Sequence, residues 1–454
     1  MAGENGNIPD AARALHRAGR LEAARARYVA HLAAHPDDAG IWSNLGALLR
    51  TQGRHQLARR AQDRAHALAP HDPVICNNRA NILSDLGDYD ASIRLRQAVL
   101  EQHPSRVMHH AMIGRCLRGK GDYQAAIDYL APKVLQYPQN HEIELQLAFA
   151  QLGAGQYGPG FRSYRARWRS PEMTPKTLDL PKWRDGDPIA GKRLLVLPEQ
   201  GFGDAILFAR FVPVLAQMGV RMHVLAESPV ARLLADLDGA DWVGTATRGD
   251  ARFDNWMPLM DMPMAAFGSA DRGAPPPPAR LTVPSDSRDR AGRIAAPYRD
   301  RFKVGVVWSG SATYKGNVFR SFSHRAFLPM ADIPGVQLFS LYKGSRLQDL
   351  HSDGSSAFIL DAAGTDRDFA DCAAMMQEMD LVITSDTATA HIAGSLGLPT
   401  WVILHWDPFW VYTHAGETTP WYPSMRLFRQ DRPLDWDGVF AKVEKALRKR
   451  VTGG

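Results

Sequence analysis

Cysteine is scarce in this chain of 454 residues, which contains only Cys76, Cys116 and Cys372. The three are far apart and odd in number, so they fit neither a zinc-binding spacing nor a disulfide framework. Long hydrophobic runs are also missing: because no stretch of 18 apolar residues occurs, we expect no membrane-spanning helix. The first residues lack the basic and apolar segments of a secretory signal, so we expect a reducing, cytoplasmic location.

A strong charge imbalance is absent as well, since the formal net charge is only +6. Residues 1–170 contain 22 Lys and Arg against 15 Asp and Glu, whereas residues 171–454 contain 32 against 33. The N-terminal part is therefore suited to an acidic or polar partner. No nucleic-acid recognition motif accompanies this charge, so we predict no nucleic-acid partner. The length exceeds that of a single core and predicts several domains.

Several residue types recur every 34 positions in the first third of the chain. They are Gly19, Gly53, Gly87, Gly121 and Gly155; Pro36, Pro70, Pro104 and Pro138; and Leu15, Leu49, Leu83 and Leu117, with small residues at Ala12, Gly46, Ala80, Gly114 and Ala148. A 34-residue period is that of the tetratricopeptide repeat, which this stretch resembles. We predict a domain at residues 1–170, with about four and a half repeats over residues 9–170 and a capping helix at residues 161–168.

The repeat is expected to build a curved stack of helix pairs with a concave face. Glycine would end the first helix of each pair, and stacking would bury the apolar faces that one pair leaves exposed. Asn44 and Asn78 occupy equivalent positions on the first helices, with Asn81 nearby. Amides at such positions can bind the main chain of an extended polypeptide. We predict an acceptor groove at Asn44, Asn78, Asn81 and Arg115; the alternative is a solvated helix face.

A proline-rich linker at residues 171–190 precedes a first α/β block at residues 191–300. Trp183 is expected to dock the linker onto that block. A strand is predicted at residues 193–197, followed by the turn Gly201-Phe202-Gly203-Asp204 and a helix over residues 205–215. From its position alone, Asp204 either caps this helix or performs chemistry.

The prolines at residues 275–278 precede a second α/β block at residues 301–454. Its strands are predicted at residues 303–308, 337–341, 381–383 and 401–404. Thr384, Ser385, Asp386 and Thr387 follow the third of these strands and precede a small-residue helix. Such a helix N-terminus suits a diphosphate, although an ordinary turn would have the same pattern. The loops after residues 197, 308 and 383 follow strand ends and are expected to share one cleft.

Three motifs in this half resemble those of one enzyme family. They are Glu199-Gln-Gly-Phe-Gly203-Asp204, Trp308-Ser-Gly310, and Ser385-Asp386-Thr387-x-x-x-His391-x-x-Gly394-x-x-Gly397-x-Pro399. Together they resemble GT-B glycosyltransferases of the lipopolysaccharide heptosyltransferase type over residues 190–445. The fused array is similar to the tetratricopeptide-bearing bacterial subgroup that includes flagellin glycosyltransferases. The resemblance implies a tetratricopeptide α-solenoid followed by a GT-B fold of two Rossmann-like α/β lobes, an acceptor-side lobe and a nucleotide-sugar-binding lobe.

The resemblance also implies roles for residues at matching positions. Asp204 matches a general base, and the donor-binding set is Ser309, Gly310, Lys315, Arg320, Ser385, Asp386, Thr387 and His391. Trp421 and Tyr422 are candidates to bound a nucleotide pocket or, alternatively, core residues. After Leu404 the chain has His405-Trp406-Asp407-Pro408 in place of a Gly-Pro-Thr-like turn. This departure leaves the donor nucleotide and sugar unpredicted.

The implied reaction is attack by an acceptor hydroxyl on the anomeric carbon of a nucleotide sugar. The helix end at Asp386, with Lys315 and Arg320, would stabilise the leaving phosphate, so neither a metal nor a further cofactor is expected. Asp236 and Asp238, the one Asp-x-Asp pair considered, are predicted to lie on a surface helix. The leading hypothesis is a protein glycosyltransferase with a flagellin-like acceptor. The alternatives are an enzyme acting on lipopolysaccharide or another glycan, and a non-catalytic adaptor; the oligomeric state is not predicted.

Overall fold

The computed structural model describes residues 8–171, 173, 178–268, 273–314 and 316–453. The chain divides into two compact units, Met1–Leu147 and Ala148–Gly454. The first contains helices, and the second contains two parallel sheets with their helices. Within the described residues, no helix combines the length and the apolar character that crossing a bilayer requires.

The first unit is a series of antiparallel helix pairs. Its helices are Ile8–Arg17 (α1), Leu21–Ala34 (α2), Ala39–Thr51 (α3), His55–Leu68 (α4), Pro73–Asp85 (α5), Tyr89–Gln102 (α6), Met108–Gly119 (α7), Tyr123–Gln136 (α8) and His141–Gly153 (α9), the last of which extends past the boundary between the units. The five periodic glycines have φ between 73° and 80°, a left-handed conformation that glycine adopts without steric cost. The predicted ends of the first helices are therefore confirmed.

Small residues let the helices of each pair approach closely. A Cβ added to Gly46 would lie 2.4 Å from Gln62 Nε2, and one added to Gly114 would lie 2.4 Å from Leu130 Cδ1. The apolar residues between the helices are buried, among them Tyr28 and Leu48. The 34-residue period therefore arises from close packing between helices as well as from the turn in each repeat.

The helix predicted to cap the array follows α9 and also packs within the second unit, and its capping role stays a prediction. It comprises Tyr157–Tyr164 (α10), continued by the 3₁₀ segment Arg165–Arg169. Phe161 lies against the rings of Phe208, Phe211, Phe267 and Trp410, with centroid separations of 5.7–6.3 Å. Burial of these aromatic rings explains why the segment belongs to the α/β unit.

In the part of the second unit that the structure describes, ten strands form two sheets, and all their pairings are parallel. The strands are Arg193–Leu197 (β1), Arg221–Leu225 (β2), Trp242–Gly244 (β3), Asn255–Pro258 (β4), Phe302–Val307 (β5), Val336–Ser340 (β6), Ile359–Asp361 (β7), Leu381–Ser385 (β8), Thr400–Leu404 (β9) and Met425–Arg429 (β10). The strand orders are β3-β2-β1-β4 and β10-β9-β8-β5-β6-β7. The prediction of two parallel sheets is confirmed.

Helices connect these strands. They are Phe202–Ala209 (α11), Phe211–Gln217 (α12), Ser228–Ala231 (α13), Met262–Phe267 (α14), Ser285–Ala295 (α15), Asn317–Arg320 (α16), Leu328–Ala331 (α17), Leu347–Ser352 (α18), Phe369–Gln377 (α19), Ala388–Ser395 (α20) and Trp436–Thr452 (α21). The single helix predicted over residues 205–215 is divided at Arg210. Pro213 accounts for the break, because its ring excludes a helical carbonyl at Ala209.

Two smaller predictions concern the first lobe. Trp183 is buried, and its main-chain N–H donates to the Trp256 carbonyl at 2.9 Å, so the linker docks onto β4 as expected. Asp236 and Asp238 lie in an exposed turn after α13, so the predicted surface helix at this position is wrong. The turn follows a helix of only four residues that ends at Ala231.

Candidate functional site

Loops that follow β1, β5 and β8 meet at the carboxyl ends of the two parallel sheets. A Cβ added to Gly203 would lie 3.1 Å from His391 Cδ2 and 3.3 Å from Ala388 Cα. A Cβ added to Gly310 would lie 2.9 Å from both Thr387 Cγ2 and Arg320 Nη2. The structure therefore brings together the three motifs that the sequence analysis selected.

A buried ion network anchors the loop after β1. Arg167 donates to both carboxylate oxygens of Glu199, at 2.6 and 2.9 Å, and also to Asp261. Gln200, which follows Glu199, has a φ of +61°, an uncommon value for a non-glycine residue. Its side-chain amide donates to the Tyr164 hydroxyl at 3.0 Å. These contacts hold the strained turn that precedes Asp204.

Asp204 occupies the first turn of α11. Its carboxylate accepts from the Gly201 N–H at 3.1 Å, so the predicted capping role is present in the structure. The side chain is half-buried, and burial raises the pKa of Asp204 to about 6, with the nearby carboxylates Asp386 and Glu199 adding to the shift. A cap and a general base are compatible here, because the cap uses one oxygen and the raised pKa favours proton uptake near neutral pH.

The turn between β8 and α20 presents the second helix end. Thr387 has an extended backbone and precedes the first residue of α20. Its hydroxyl lies 2.6 Å from that of Thr389, which in turn lies 2.8 Å from that of Thr384. Ser385 Oγ is buried without a hydrogen-bond partner among the described residues. The hydroxyl chain fixes the turn, and the N-terminus of α20 contributes positive potential there.

Asp386 is buried in this turn. Its carboxyl group is close enough to Asp204 to affect the pKa of that residue. Burial raises the pKa of Asp386, whereas the Arg320 charge and a hydrogen bond with Tyr412 oppose the rise. Tyr412 is also buried, and its pKa is raised well above the usual value. Of the two carboxyls, Asp204 is the one that retains contact with solvent.

The loop after β5 brings Arg320 toward the same place. Asn317 Oδ1 accepts from the Gly310 N–H at 3.1 Å and from Arg320 Nε at 3.3 Å. Ser309 Oγ is buried, 2.9 Å from Ser321 Oγ and 3.1 Å from the Asn317 amide, so it supports the loop. Lys315, the predicted phosphate ligand in this loop, lies outside the described residues.

His391 lies one turn into α20 and is buried. Its Nδ1 is 3.1 Å from the Tyr422 hydroxyl. Burial, reinforced by the charges of Arg210 and Arg320, lowers the pKa of His391 to about 3. The imidazole is therefore neutral at physiological pH.

Arg210 is the residue that the sequence analysis missed. Its side chain is 1% exposed, and its guanidinium donates to the carbonyls of Leu207 and Trp421 at 3.0 and 2.9 Å. It also lies 4.5 Å from the ring centroid of Tyr422. A lone arginine within the apolar run at residues 205–215 was the available signal, because such a side chain must find polar partners when buried.

Trp421 and Tyr422, the candidates for a nucleotide pocket, are fully buried at 1% and 0% exposure. The Trp421 indole donates to the Tyr157 hydroxyl at 3.1 Å. Both rings also contact the Arg210 guanidinium, and Tyr422 contacts His391. Their role in bounding a nucleotide pocket stays a prediction.

Two of the four predicted groove residues of the first unit, Asn78 and Asn81, line a small cavity. It has a volume of about 130 Å³, and its lining includes Arg50, Asn78 and Asn81. Asn78 donates to Ser43 Oγ at 2.9 Å, and Asn81 Oδ1 accepts from the buried Arg96 at 2.6 Å. Each amide thus uses one of its polar atoms internally. Asn44 and Arg115 are half-buried on α3 and α7 and are not part of this lining.

Comparison with known proteins identifies the repeats. A family model described as tetratricopeptide repeat matches residues 3–73 and 77–133, so the first unit is a tetratricopeptide array. Protein FlbA of Caulobacter vibrioides is 25% identical over 471 residues, covering 93% of this chain and 75% of that protein. FlbA is therefore similar across both units.

Two solved structures are also similar to part of this chain. MamA from Desulfovibrio magneticus RS-1 is 16% identical with a TM-score of 0.33, covering 38% of this chain and 100% of that chain. A tetratricopeptide repeat protein from Parabacteroides merdae is 18% identical with a TM-score of 0.32, covering 36% and 64%.

Proposed function

We propose that the second unit is a GT-B glycosyltransferase that moves a sugar from a nucleotide sugar to a hydroxyl of a protein bound by the array. The observation that carries the proposal is the meeting of two helix N-termini, one from each sheet. Gly203 of α11 approaches Ala388 of α20 so closely that a Cβ has only 3.3 Å to the Ala388 Cα. This approach supports a site in which an acid and a helix N-terminus lie close together, as sugar transfer from a nucleotide requires.

Asp204 is the proposed general base. It would accept the proton of the acceptor hydroxyl as that oxygen bonds to the anomeric carbon. The bond between the anomeric carbon and the phosphate oxygen breaks, and the phosphate leaves with the electron pair. A positioned base of this kind contributes about 10²–10⁴-fold to a rate, and the pKa of about 6 for Asp204 supports the role.

The leaving phosphate would lie at the N-terminus of α20. A helix N-terminus stabilises a partly buried anion by up to about 2 kcal/mol. Arg320 supplies a full charge beside Thr387, since the Gly310 backbone approaches both. The Ser385 hydroxyl, for which the described residues provide no hydrogen-bond partner, would be a further donor to a phosphate oxygen.

The array supports a polypeptide acceptor. Stacked tetratricopeptide repeats present concave surfaces that bind extended segments. The polar cavity at Asn78 and Asn81 offers amide groups suited to a peptide main chain. No chemistry is assigned to the array itself.

A first experiment asks whether the second unit binds a nucleotide. The unfolding midpoint of the full-length protein is measured with UDP, CMP, GDP and ADP in turn, because a ligand that binds the native state raises its stability. One nucleotide should raise the midpoint of the wild type and raise it less in Arg320→Met. If none raises it, the donor-binding part of the proposal is wrong.

A second experiment identifies the acceptor. The intact mass of flagellin is measured in source cells that carry the wild type, Asp204→Ala or the matched surface variant Asp236→Ala. Only Asp204→Ala should remove a mass equal to one or more sugars. An unchanged flagellin mass in all three would reject this acceptor, and an accompanying change in lipopolysaccharide mobility would favour the glycan alternative.

A further inference from the structure

The His391 ring is held on one side by a single buried hydroxyl. Tyr422 is 0% exposed, and its oxygen lies 3.1 Å from His391 Nδ1. The two ring centroids are 5.7 Å apart with an interplanar angle of 52°, so the contact is made through the polar atoms and not by stacking. The sequence analysis gave Tyr422 no such role.

The direction of this hydrogen bond follows from the surroundings of Tyr422. The Arg210 guanidinium lies 4.5 Å from the phenol ring centroid and is itself buried. The positive charge of Arg210 acts on Tyr422 and favours an orientation in which the phenol proton points away from the guanidinium, toward His391. In the opposite arrangement an Nδ1–H would donate to Tyr422, and the phenol proton would turn to the buried Ser395 hydroxyl, which is a weaker acceptor than an imidazole nitrogen.

Neither partner changes its charge across the ordinary pH range. Burial raises the pKa of Tyr422, although Arg210 opposes the rise, and the pKa of His391 is lowered to about 3. The groups that face the imidazole are Arg210, Arg320, Tyr412 and Tyr422, and Tyr412 stacks on it at 6.3 Å. A neutral imidazole has one N–H, which Nε2 must carry when Nδ1 accepts.

The Nε2 edge of the ring faces the loop that bears Asp204. The neighbouring carbon, Cδ2, is 3.1 Å from the position of a Cβ on Gly203. A larger residue than glycine at 203 would therefore cover this edge. The ring thus has one nitrogen in contact with Tyr422 and a second nitrogen on the edge that faces Gly203.

We propose that Tyr422 is a positioning residue that fixes His391 as the Nε2–H tautomer, so that a neutral donor faces a phosphate oxygen of the bound nucleotide. The tautomer assignment stands on the contact with Tyr422 and the placement of Arg210. The phosphate as the recipient of the hydrogen bond rests on the proposed function.

The tautomer is measured directly by long-range ¹H–¹⁵N correlation on full-length protein labelled at the histidine ring nitrogens. The chain has 16 histidines, and His391 is assigned by the signal lost in His391→Gln. At pH 7 the wild type should show an unprotonated Nδ1 and a protonated Nε2. An Nδ1–H tautomer, an imidazolium or a fast average of tautomers in the wild type would overturn the proposal, and this measurement needs no variant of Tyr422.

Tyr422→Phe then removes only the hydroxyl. We expect the His391 nitrogens to shift toward a tautomer average, whereas Tyr412→Phe, which removes a hydroxyl from a stacked ring, should leave them in the Nε2–H pattern. An unchanged pattern in Tyr422→Phe would show that the phenol does not fix the ring. The unfolding midpoint of each variant verifies that the comparison is between folded proteins.

The proposed hydrogen bond from His391 to a phosphate oxygen is tested with a nucleotide. Among UDP, CMP, GDP and ADP, the one that most raises the unfolding midpoint is used. Its Kd should rise about tenfold in Tyr422→Phe, the loss expected for a weakened hydrogen bond to a charged group. If no nucleotide binds the wild type, the proposed function fails while the tautomer measurement still decides the positioning role. An unchanged Kd together with an altered tautomer would reject the phosphate as the recipient.

Discussion

At the scale of single residues, Asp204 and Asp386 show how two carboxyl groups of one site can differ in burial and in expected role. Both have a raised pKa because of burial, and each lies near Arg320. Asp386 is 7% exposed and hydrogen-bonds with Tyr412, whereas Asp204 is half-buried at the start of α11. Only Asp204 combines a pKa near neutrality with access for an acceptor, so the two carboxyls have different expected roles.

The first prediction concerns the pH dependence of sugar transfer. A general base acts as the carboxylate, so the rate should fall as pH drops through the pKa of about 6 for Asp204. Asp204→Asn should lower the rate by about 10²–10⁴-fold and remove this acid limb. Initial rates between pH 5 and 8 provide the measurement. A wild-type rate that stays constant down to pH 5 would contradict the assignment.

The second prediction concerns the stability of the folded state. As pH rises, this stability should fall, whereas the rate of transfer should rise. Because the folded pKa of Asp204 is raised above 3.8, the folded state loses stability as pH rises from about 4 to about 6. Asp204→Asn should therefore raise the free energy of unfolding at pH 7, by about 1–2 kcal/mol for a carboxyl that still contacts water. The two proteins should be equally stable near pH 3.5. Denaturant unfolding at both pH values decides between this result and a purely capping role, for which the variant would be less stable.

The role of Arg210 could not be predicted from the sequence. The motifs at Asp204, Asp386 and His391 were visible because each follows a strand and precedes a helix. The contacts of Arg210 with Pro276 and Trp421 join positions 66 and 211 residues away. Periodicity contains no information about such pairs, since they depend on how the lobes pack.

At the scale of elements, the contact of α11 with α20 depends on glycine at 203. The third prediction is that Gly203→Ala lowers transfer by about tenfold, because the added methyl group would press on Ala388 and His391 and displace the helix ends by a few tenths of an ångström. Steady-state kinetics and the unfolding midpoint are measured together. The fold should be retained, since Gly203 lies in the first turn of α11, beyond the end of β1.

A matched glycine separates this effect from that of helix propensity. Gly292 lies within α15, and a Cβ there would meet nothing within 4 Å. Gly292→Ala should stabilise the protein by about 0.5–1 kcal/mol and leave transfer unchanged. Equal loss of transfer in both variants would show that the approach at Gly203 is not specific to the reaction.

Elements of the array were predicted more fully than those of the α/β unit. In the array, a turn glycine and a small packing residue recur with the same spacing, so each repeat confirms the next. The helix predicted over residues 205–215 had no such repetition, and its break at Pro213 was missed. The aromatic cluster around Phe161 was not predicted, because it joins residues that are distant in the sequence.

At the scale of the whole molecule, the two units have different physical characters. The first is a set of local helix pairs, whereas the second depends on parallel pairings between strands distant in sequence. The repeat period therefore defined the first unit from sequence alone, and the second was recognised through motifs at strand ends. We therefore expect acceptor binding in the first unit and sugar transfer in the second.

The fourth prediction tests whether acceptor binding and sugar transfer belong to different units, by changing residues of the array alone. Asn44→Ala with Asn78→Ala should reduce the modification of a protein acceptor by about tenfold, since each lost amide hydrogen bond contributes about 0.5–1.5 kcal/mol. Hydrolysis of the nucleotide sugar in the absence of acceptor should be unchanged, because neither residue belongs to the second unit. Asn81 is left intact, as its oxygen accepts from the buried Arg96 and its loss would destabilise the array.

The control for this double variant is Gln56→Ala, an exposed position on α4 outside the cavity lining. Intact-mass measurement gives the modified fraction of the acceptor, and nucleotide release gives hydrolysis. A parallel loss of both activities would mean that the array supports the fold of the second unit. Unchanged modification would instead place the acceptor elsewhere and favour the glycan-directed alternative, in which the array serves assembly.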